Sequence, residues 1–132
     1  MWNVCWDSKN ERNIASQDKV IELIERINEE YKRKEPVIVQ VESECGKILC
    51  IGVGTGDEFS CLDFFPDSNG LGSMHPVPQS KQKSKNSIVF WLDSYDSEWE
   101  ADLLIPYNMA IKELRYFLKY NDVSSNYIWE LD

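Results

Sequence analysis

The chain is poor in the residues on which most small-protein chemistry depends. One histidine, His75, stands in all 132 residues, within a Ser73-Met74-His75-Pro76 stretch that shows no partner, so a Ser-His-Asp or Cys-His nucleophile has one possible base at a poor address. Four cysteines are present, yet Cys45 and Cys50 are five apart and Cys61 lies eleven further on, without the C-x-x-C pair or nearby histidines of a zinc site. Cations are short as well: 14 Lys and Arg stand against 23 Asp and Glu, a formal net charge of -9. A direct grip on nucleic acid or on an anionic membrane needs the opposite sign, because cations must neutralise the phosphates. No window approaches the roughly 20 apolar residues of a membrane span, and the opening Met1-Trp2-Asn3-Val4-Cys5-Trp6-Asp7 has no cationic stretch of the kind that starts a signal peptide. The expectation is a soluble cytoplasmic protein whose cysteines stay reduced and serve as small core residues.

What is present suffices for a core. The sequence is 42% hydrophobic and 12% aromatic, and its length fits one domain spanning residues 1–132. Trp2, Val4 and Trp6 alternate as in a short strand or apolar flap, and Asp7 to Asn13 reads as a polar loop. Ser16 or Asp18 then caps a helix with Val20, Ile21, Leu23, Ile24, Ile27 and Tyr31 on one stripe, Glu22 and Arg26 with Glu29 and Arg33 on the other face, and Pro36 as a stop. After Pro36 the period shortens to 2. Strands are expected at Val37–Ser43, Lys47–Val53 and Glu58–Phe65 as a three-strand meander, then at Ile88–Leu92 and Trp99–Ile105. Pro66 to Asn86 reads as a long loop carrying Lys81, Lys83 and Lys85. Pro106 or Asn108 opens a second helix with Tyr107, Ala110, Ile111, Leu114, Phe117 and Leu118 on its stripe, Asn121 closes it in the left-handed conformation, and Tyr127–Leu131 is a last strand. The fold class is therefore α+β, a largely antiparallel sheet of five to six strands with two helices against one face.

Glycine is placed rather than abundant. Gly52-x-Gly54-x-Gly56 imitates a phosphate loop, but a strand follows it instead of a helix N-terminus, and Asp57 and Glu58 would repel an anion, so these glycines read as hairpin residues. Acid pairs able to run glycosidic chemistry are not singled out by any pattern. The acidity itself is concentrated. Residues 42–67 hold Glu42, Glu44, Asp57, Glu58, Asp63 and Asp67 against Lys47 alone, and residues 93–102 hold Asp93, Asp96, Glu98, Glu100 and Asp102 with no cation. On a strand, Glu98, Glu100 and Asp102 would share one face at a repeat of about 6.6 Å, close to the phosphate spacing of an extended single strand. Such a row is equally an ordinary solvated face and a mimic fit for a cationic groove.

The stretch from Val37 to Leu131 resembles a bacterial immunity protein family, family one of the polymorphic-toxin and contact-dependent inhibition systems. The features that carry the resemblance are Gly46-Lys47-Ile48-Leu49-Cys50-Ile51-Gly52-Val53-Gly54, then Cys61-Leu62, Ile88-Val89-Phe90-Trp91, the Leu104-Ile105-Pro106 that leads into Ala110 and Leu114, Phe117-Leu118 and Tyr127-Ile128-Trp129. Where that family often has a Gly and a Pro, this chain has Asn121-Asp122-Val123-Ser124. The resemblance implies a small cytoplasmic antidote that binds and blocks a toxin domain, often a nuclease or nucleic-acid deaminase; the acidity adds the expectation that this partner is basic, and no catalysis, cofactor or metal is expected. It transfers no binding residue, since the matching positions are mostly core and turn. The candidate toxin-binding residues, taken from charge, are Asp57, Glu58, Asp93, Asp96, Glu98, Glu100 and Asp102. Two other classes remain: a small acidic enzyme or ligand-binding domain, and a regulatory adaptor for a basic protein. Trp91, Trp99 and Trp129 are expected in the core, and Trp2 and Trp6 part-exposed.

Overall fold

Two apolar strands buried on both faces, Val37–Ser43 and Ile48–Val53, form the centre of the molecule. The computed structural model describes residues 1–56, 58–67, 72–78 and 86–132. In chain order the elements are β1 (Trp2–Trp6), β2 (Lys9–Ile14), α1 (Gln17–Tyr31), β3 (Val37–Ser43), β4 (Ile48–Val53), β5 (Phe59–Ser60) and β6 (Leu62–Phe65). There follow β7 (Met74–Val77), β8 (Ile88–Leu92), β9 (Tyr95–Trp99), a 3-10 turn at Ala101–Leu103, β10 (Ile105–Pro106), α2 (Tyr107–Tyr120) and β11 (Ile128–Leu131). Nine strands join in one sheet along the path β11-β7-β6-β4-β3-β1-β2, with β8 attached to β3 and β9 to β8, and β5 pairs with β10 apart from it.

Alternation decides what each face of this sheet meets. Val37, Val39 and Val41 stand opposite Val53, Ile51 and Leu49, and the last two in turn face Leu62 and Phe64. These side chains form one buried layer with α1 and α2, so both helices lie on the same face. Helix α1 begins at Ser16, whose side chain accepts the Lys19 N–H at 3.3 Å, and it buries Val20, Ile21, Leu23, Ile24, Ile27 and Tyr31 together with Asn28. Asn28 is polar but satisfied, because its Oδ1 accepts the Gly54 N–H at 2.7 Å. On the exposed side the partners differ from the expected i,i+4 pairs: Arg26 reaches Glu11 at 3.9 Å, and Glu29 takes Lys32 at 2.6 Å. Helix α2 ends at Asn121 with φ of 56°, the left-handed cap its sequence predicts. It also buries Glu113, which accepts the Ser124 N–H at 3.2 Å and the Ser124 hydroxyl, tying the helix to the segment that leads into β11.

The opposite face is closed by the chain itself. Ile38, Cys50 and Cys61 contact Phe90 of β8 and Leu104, forming a second core beneath the β8–β9 hairpin. This is possible because the outer edge of β3 is shared: its Gln40–Ser43 half pairs with β1, and at Val37 it meets Trp91 of β8 in parallel.

The α+β class, the two helices on one face and the mostly antiparallel sheet stand, but the expected five to six strands become eleven among the described residues. Three of the extra ones are polar or short: β2 falls where a loop is expected and buries only Ile14, β7 falls inside the expected Pro66–Asn86 loop, and Glu58–Phe65 is divided at Cys61 into β5 and β6. The partner of β8 is Tyr95–Trp99, not Trp99–Ile105, because the chain turns into a 3-10 conformation directly after Glu100. Cysteine is mixed, with Cys50 and Cys61 buried and Cys5 and Cys45 exposed, and all four free. No helix among the described residues is long and apolar enough to cross a membrane.

Candidate binding surface

The β8–β9 hairpin sorts its side chains by alternation. Ile88, Phe90 and Leu92 turn toward the second core. Val89 and Trp91 therefore face the other way, directly across from Glu98 and Asp96 on β9. Asp93 and Ser94 form the two-residue turn between the paired Leu92 and Tyr95, with Asp93 in the left-handed region at φ of 53°. The outer face of the hairpin thus presents a tryptophan and a valine bordered by Asp93, Asp96 and Glu98. Four of the five tryptophans lie against one of the two cores, Trp2, Trp6 and Trp129 on the helix side and Trp99 beneath the hairpin. Trp91, expected in the core, is only half-buried and belongs to neither.

The hairpin tip is fixed in place by a second one. Asp7 and Ser8, both at positive φ of 45° and 59°, make the two-residue turn of β1–β2, and the Ser8 N–H donates to Asp93 Oδ1 at 2.6 Å. Behind it, the Tyr31 hydroxyl donates to Asp7 Oδ2 at 2.6 Å, and burial followed by this bond to a carboxylate pushes the phenol pKa above its ordinary range. Between the end of α1 and the two tips lies a cleft of about 420 Å³, walled by Asp7, Tyr31, Lys34, Glu35, Trp91 and Asp93. A smaller cleft of about 330 Å³ lies on the other side of the Ser8–Asp93 bond and includes Cys5, Trp6 and Gln40.

The charge-based candidates are only partly gathered. Asp93, Asp96 and Glu98 share the hairpin, with Glu98 also accepting the Ser87 hydroxyl at 2.8 Å. Glu100 is exposed just past the end of β9. The uniform strand row of Glu98, Glu100 and Asp102 is not formed, because Asp102 lies in the 3-10 turn, where the two-residue repeat ends. Glu58 lies elsewhere, next to β5, with its carbonyl accepting the Tyr107 N–H at 3.1 Å. Asp57 lies outside the described residues.

A second polar group was invisible from spacing. Cys50 stands between Gln40 and Asp63 across three strands on the face opposite the helices. Asp63 is hydrogen-bonded to Asp132, and its Oδ1 is buried with no partner among the described residues. Asp132 also receives the Ser73 hydroxyl and meets His75 Nδ1 at 2.5 Å, with the His75 ring edge-on to Trp99 at 6.5 Å. His75 therefore does have a partner, supplied by the strand pairing of β7 with β11. Burial, then the adjacent Asp132, raises Asp63 from the usual 3.8 to about 9. For Asp132, burial acts upward but is outweighed by hydrogen bonds from Asp63, Ser73 and His75, which hold it below the ordinary range. Burial likewise pushes Cys50 up to about 12 and Cys61 well above a normal thiol.

This arrangement gives stability a defined pH dependence. Folded Asp63 keeps its proton up to about pH 9 while the unfolded chain loses it near 4, so its contribution is complete below the lower value and is lost as pH rises toward the upper one. Asp63→Asn keeps a neutral donor toward Asp132 and removes the titration. The variant should gain on the parent steadily from about pH 5 to about pH 9 in urea-unfolding midpoints. Parallel profiles for the two proteins would refute a protonated Asp63 in the folded state.

Among the described residues no three His, Cys, Asp or Glu side chains come together in an arrangement suited to a metal ion. No protein-family model matches the chain, and no curated protein matches it.

Proposed function

We propose that this protein is a cytoplasmic antidote that binds a basic bacterial toxin domain, a nuclease or nucleic-acid deaminase in class, and keeps it from its substrate by occupying the cationic groove. The observation that carries the reading is the outer face of the β8–β9 hairpin, where Trp91 and Val89 stand across from Asp96 and Glu98 with Asp93 at the tip. From Asn86 to Ile111 the sequence holds five acids and neither lysine nor arginine, so the hairpin brings no cation of its own to a positive surface. A central aromatic with a charged border is the anatomy of an interface in which a few buried contacts hold the complex and the charges speed its formation. The resemblance over Val37 to Leu131 supplies the kind of partner.

The test is kinetic. Asp96→Lys combined with Glu98→Lys, both on the solvent side of β9, should slow association with the toxin encoded next to this gene by about tenfold at low salt and flatten its salt dependence. An association rate unchanged at low ionic strength would remove the hairpin from the interface.

A second reading, a small acidic enzyme, draws on Asp63 paired with Asp132 beside His75. Turnover of any substrate that Asp132→Asn abolishes would favour it over the antidote.

A further inference from the structure

We propose that the cleft between the end of α1 and the two hairpin tips is a receptor for one arginine side chain, its guanidinium lying against Trp91 and held by Asp7, Glu35 and Asp93. The inference rests on the binding reading above only for the source of that arginine, a basic protein partner. The site itself is argued from its walls.

Trp91 is the first of these. An indole belonging to neither core, half-buried on the wall of a cleft of about 420 Å³, leaves apolar aromatic surface that neither core takes up. Pockets of this size suit a side chain or a small ligand, and a planar delocalised cation stacks on an indole better than any other charged group does.

The polar wall selects the sign. Three carboxylates, Asp7, Glu35 and Asp93, face one cation, Lys34. That lysine is already engaged, 3.3 Å from Glu30 and 5.0 Å from the centre of the Tyr31 ring. Asp7 and Asp93 are held by the Tyr31 hydroxyl and the Ser8 N–H through Oδ2 and Oδ1 respectively, which orients the carboxylates while each keeps its second oxygen for a donor. The cleft also lies off the C-terminal end of a 15-residue helix, where the backbone dipole favours positive charge.

The molecule's own cations report the same preference. Lys9 and Lys34, from different elements, both approach the Tyr31 ring, at 6.0 and 5.0 Å. An ammonium concentrates three donors at one point, whereas a guanidinium spreads five in a plane and can meet carboxylates on two walls while its face lies on an indole. This is why arginine rather than lysine is assigned.

The experiment uses the full chain and N-acetyl-arginine-methylamide as probe, followed by the Trp91 indole N–H signal in NMR, assigned with Trp91→Phe. Saturable binding with a dissociation constant on the order of millimolar is expected, since one side chain brings few atoms. The uncharged isostere N-acetyl-citrulline-methylamide should bind at least about tenfold more weakly, and the lysine analogue should fall between them. Glu35→Gln with Asp93→Asn should lower affinity for the arginine probe by about tenfold, and Glu35→Gln alone, at an exposed position, serves where the pair disturbs the tip. Equal binding of citrulline, shifts confined to other indoles, or no saturation would overturn the receptor. Its fate and that of the antidote reading are separable. Arginine binding at Trp91 without competition by the toxin leaves the cleft and sinks the antidote interface, whereas hairpin-dependent toxin association without arginine binding does the reverse.

Discussion

Gly52→Ala should lower the stability of this protein by about 3 kcal/mol, at the upper end of what overpacking a core usually costs. The reason is where the new methyl would go. A Cβ on Gly52 would lie 2.5 Å from both Cδ1 and Cε1 of Phe90 and 2.6 Å from the Cys61 sulfur. Phe90 is completely buried, so its ring has no open side toward which to retreat. Gly52 pairs with Ile38 on β3, and its N–H donates to the Cys61 carbonyl at 2.9 Å, so the backbone is held too. The ring that must yield belongs to the strand that carries Trp91, and the same substitution should therefore loosen the proposed binding face. Urea unfolding measures the loss, and Gly52→Ala combined with Phe90→Leu should recover a good part of it. A loss under 1 kcal/mol, or no recovery in the double variant, would mean that the hairpin does not rest on β4 at this point.

Phe64→Ala should cost about 3–5 kcal/mol, the range for emptying an aromatic site in a packed core. Phe64 is 1% exposed at the centre of β6. Its ring stands edge-on to Phe117 of α2 at 6.0 Å and to Trp129 of β11 at 6.4 Å. One side chain thus joins the sheet centre, the second helix and the last strand, and its removal leaves a cavity that three elements cannot close together. Because β11 pairs with β7, which carries His75, the Asp63–Asp132–His75 group should become more mobile as well. The urea midpoint should fall with little change in slope. Phe64→Leu, which retains most of the volume, should lose less than half as much, and equal losses would locate the stabilisation outside this ring.

How much of this was legible in advance depended on the range of the interaction concerned. The α1 cap, read as Ser16 or Asp18 and found at Ser16, the stripe of α1, the bounds of β3 and β8 and the left-handed Asn121 each follow from contacts within a few residues. Strands without an apolar face left no period to detect: β2 reads Lys-Asn-Glu-Arg-Asn-Ile and is a strand because β1 pairs with it. The candidate surface divides in the same way. Its acidity was visible in composition, but the alternation that was to align Glu98, Glu100 and Asp102 stops at the 3-10 turn.

Glycine shows the division at single positions. Gly54 and Gly56 occupy φ of 94° and 90°, as hairpin residues should, whereas Gly52 is glycine because Phe90, thirty-eight positions away, needs the space. Composition and local periodicity alone determined the class of the fold, both helices and the sign of the surface, because propensity, capping and amphipathic period act between near neighbours. Tertiary structure decided that Trp91 would be left at the wall of a cleft, that Asp93 would be braced by Ser8, and that Asp63 would be buried beside Asp132 with its pKa raised. Those outcomes follow from strand pairing between residues distant in the chain, and no local pattern encodes which edge of β3 a later strand will meet.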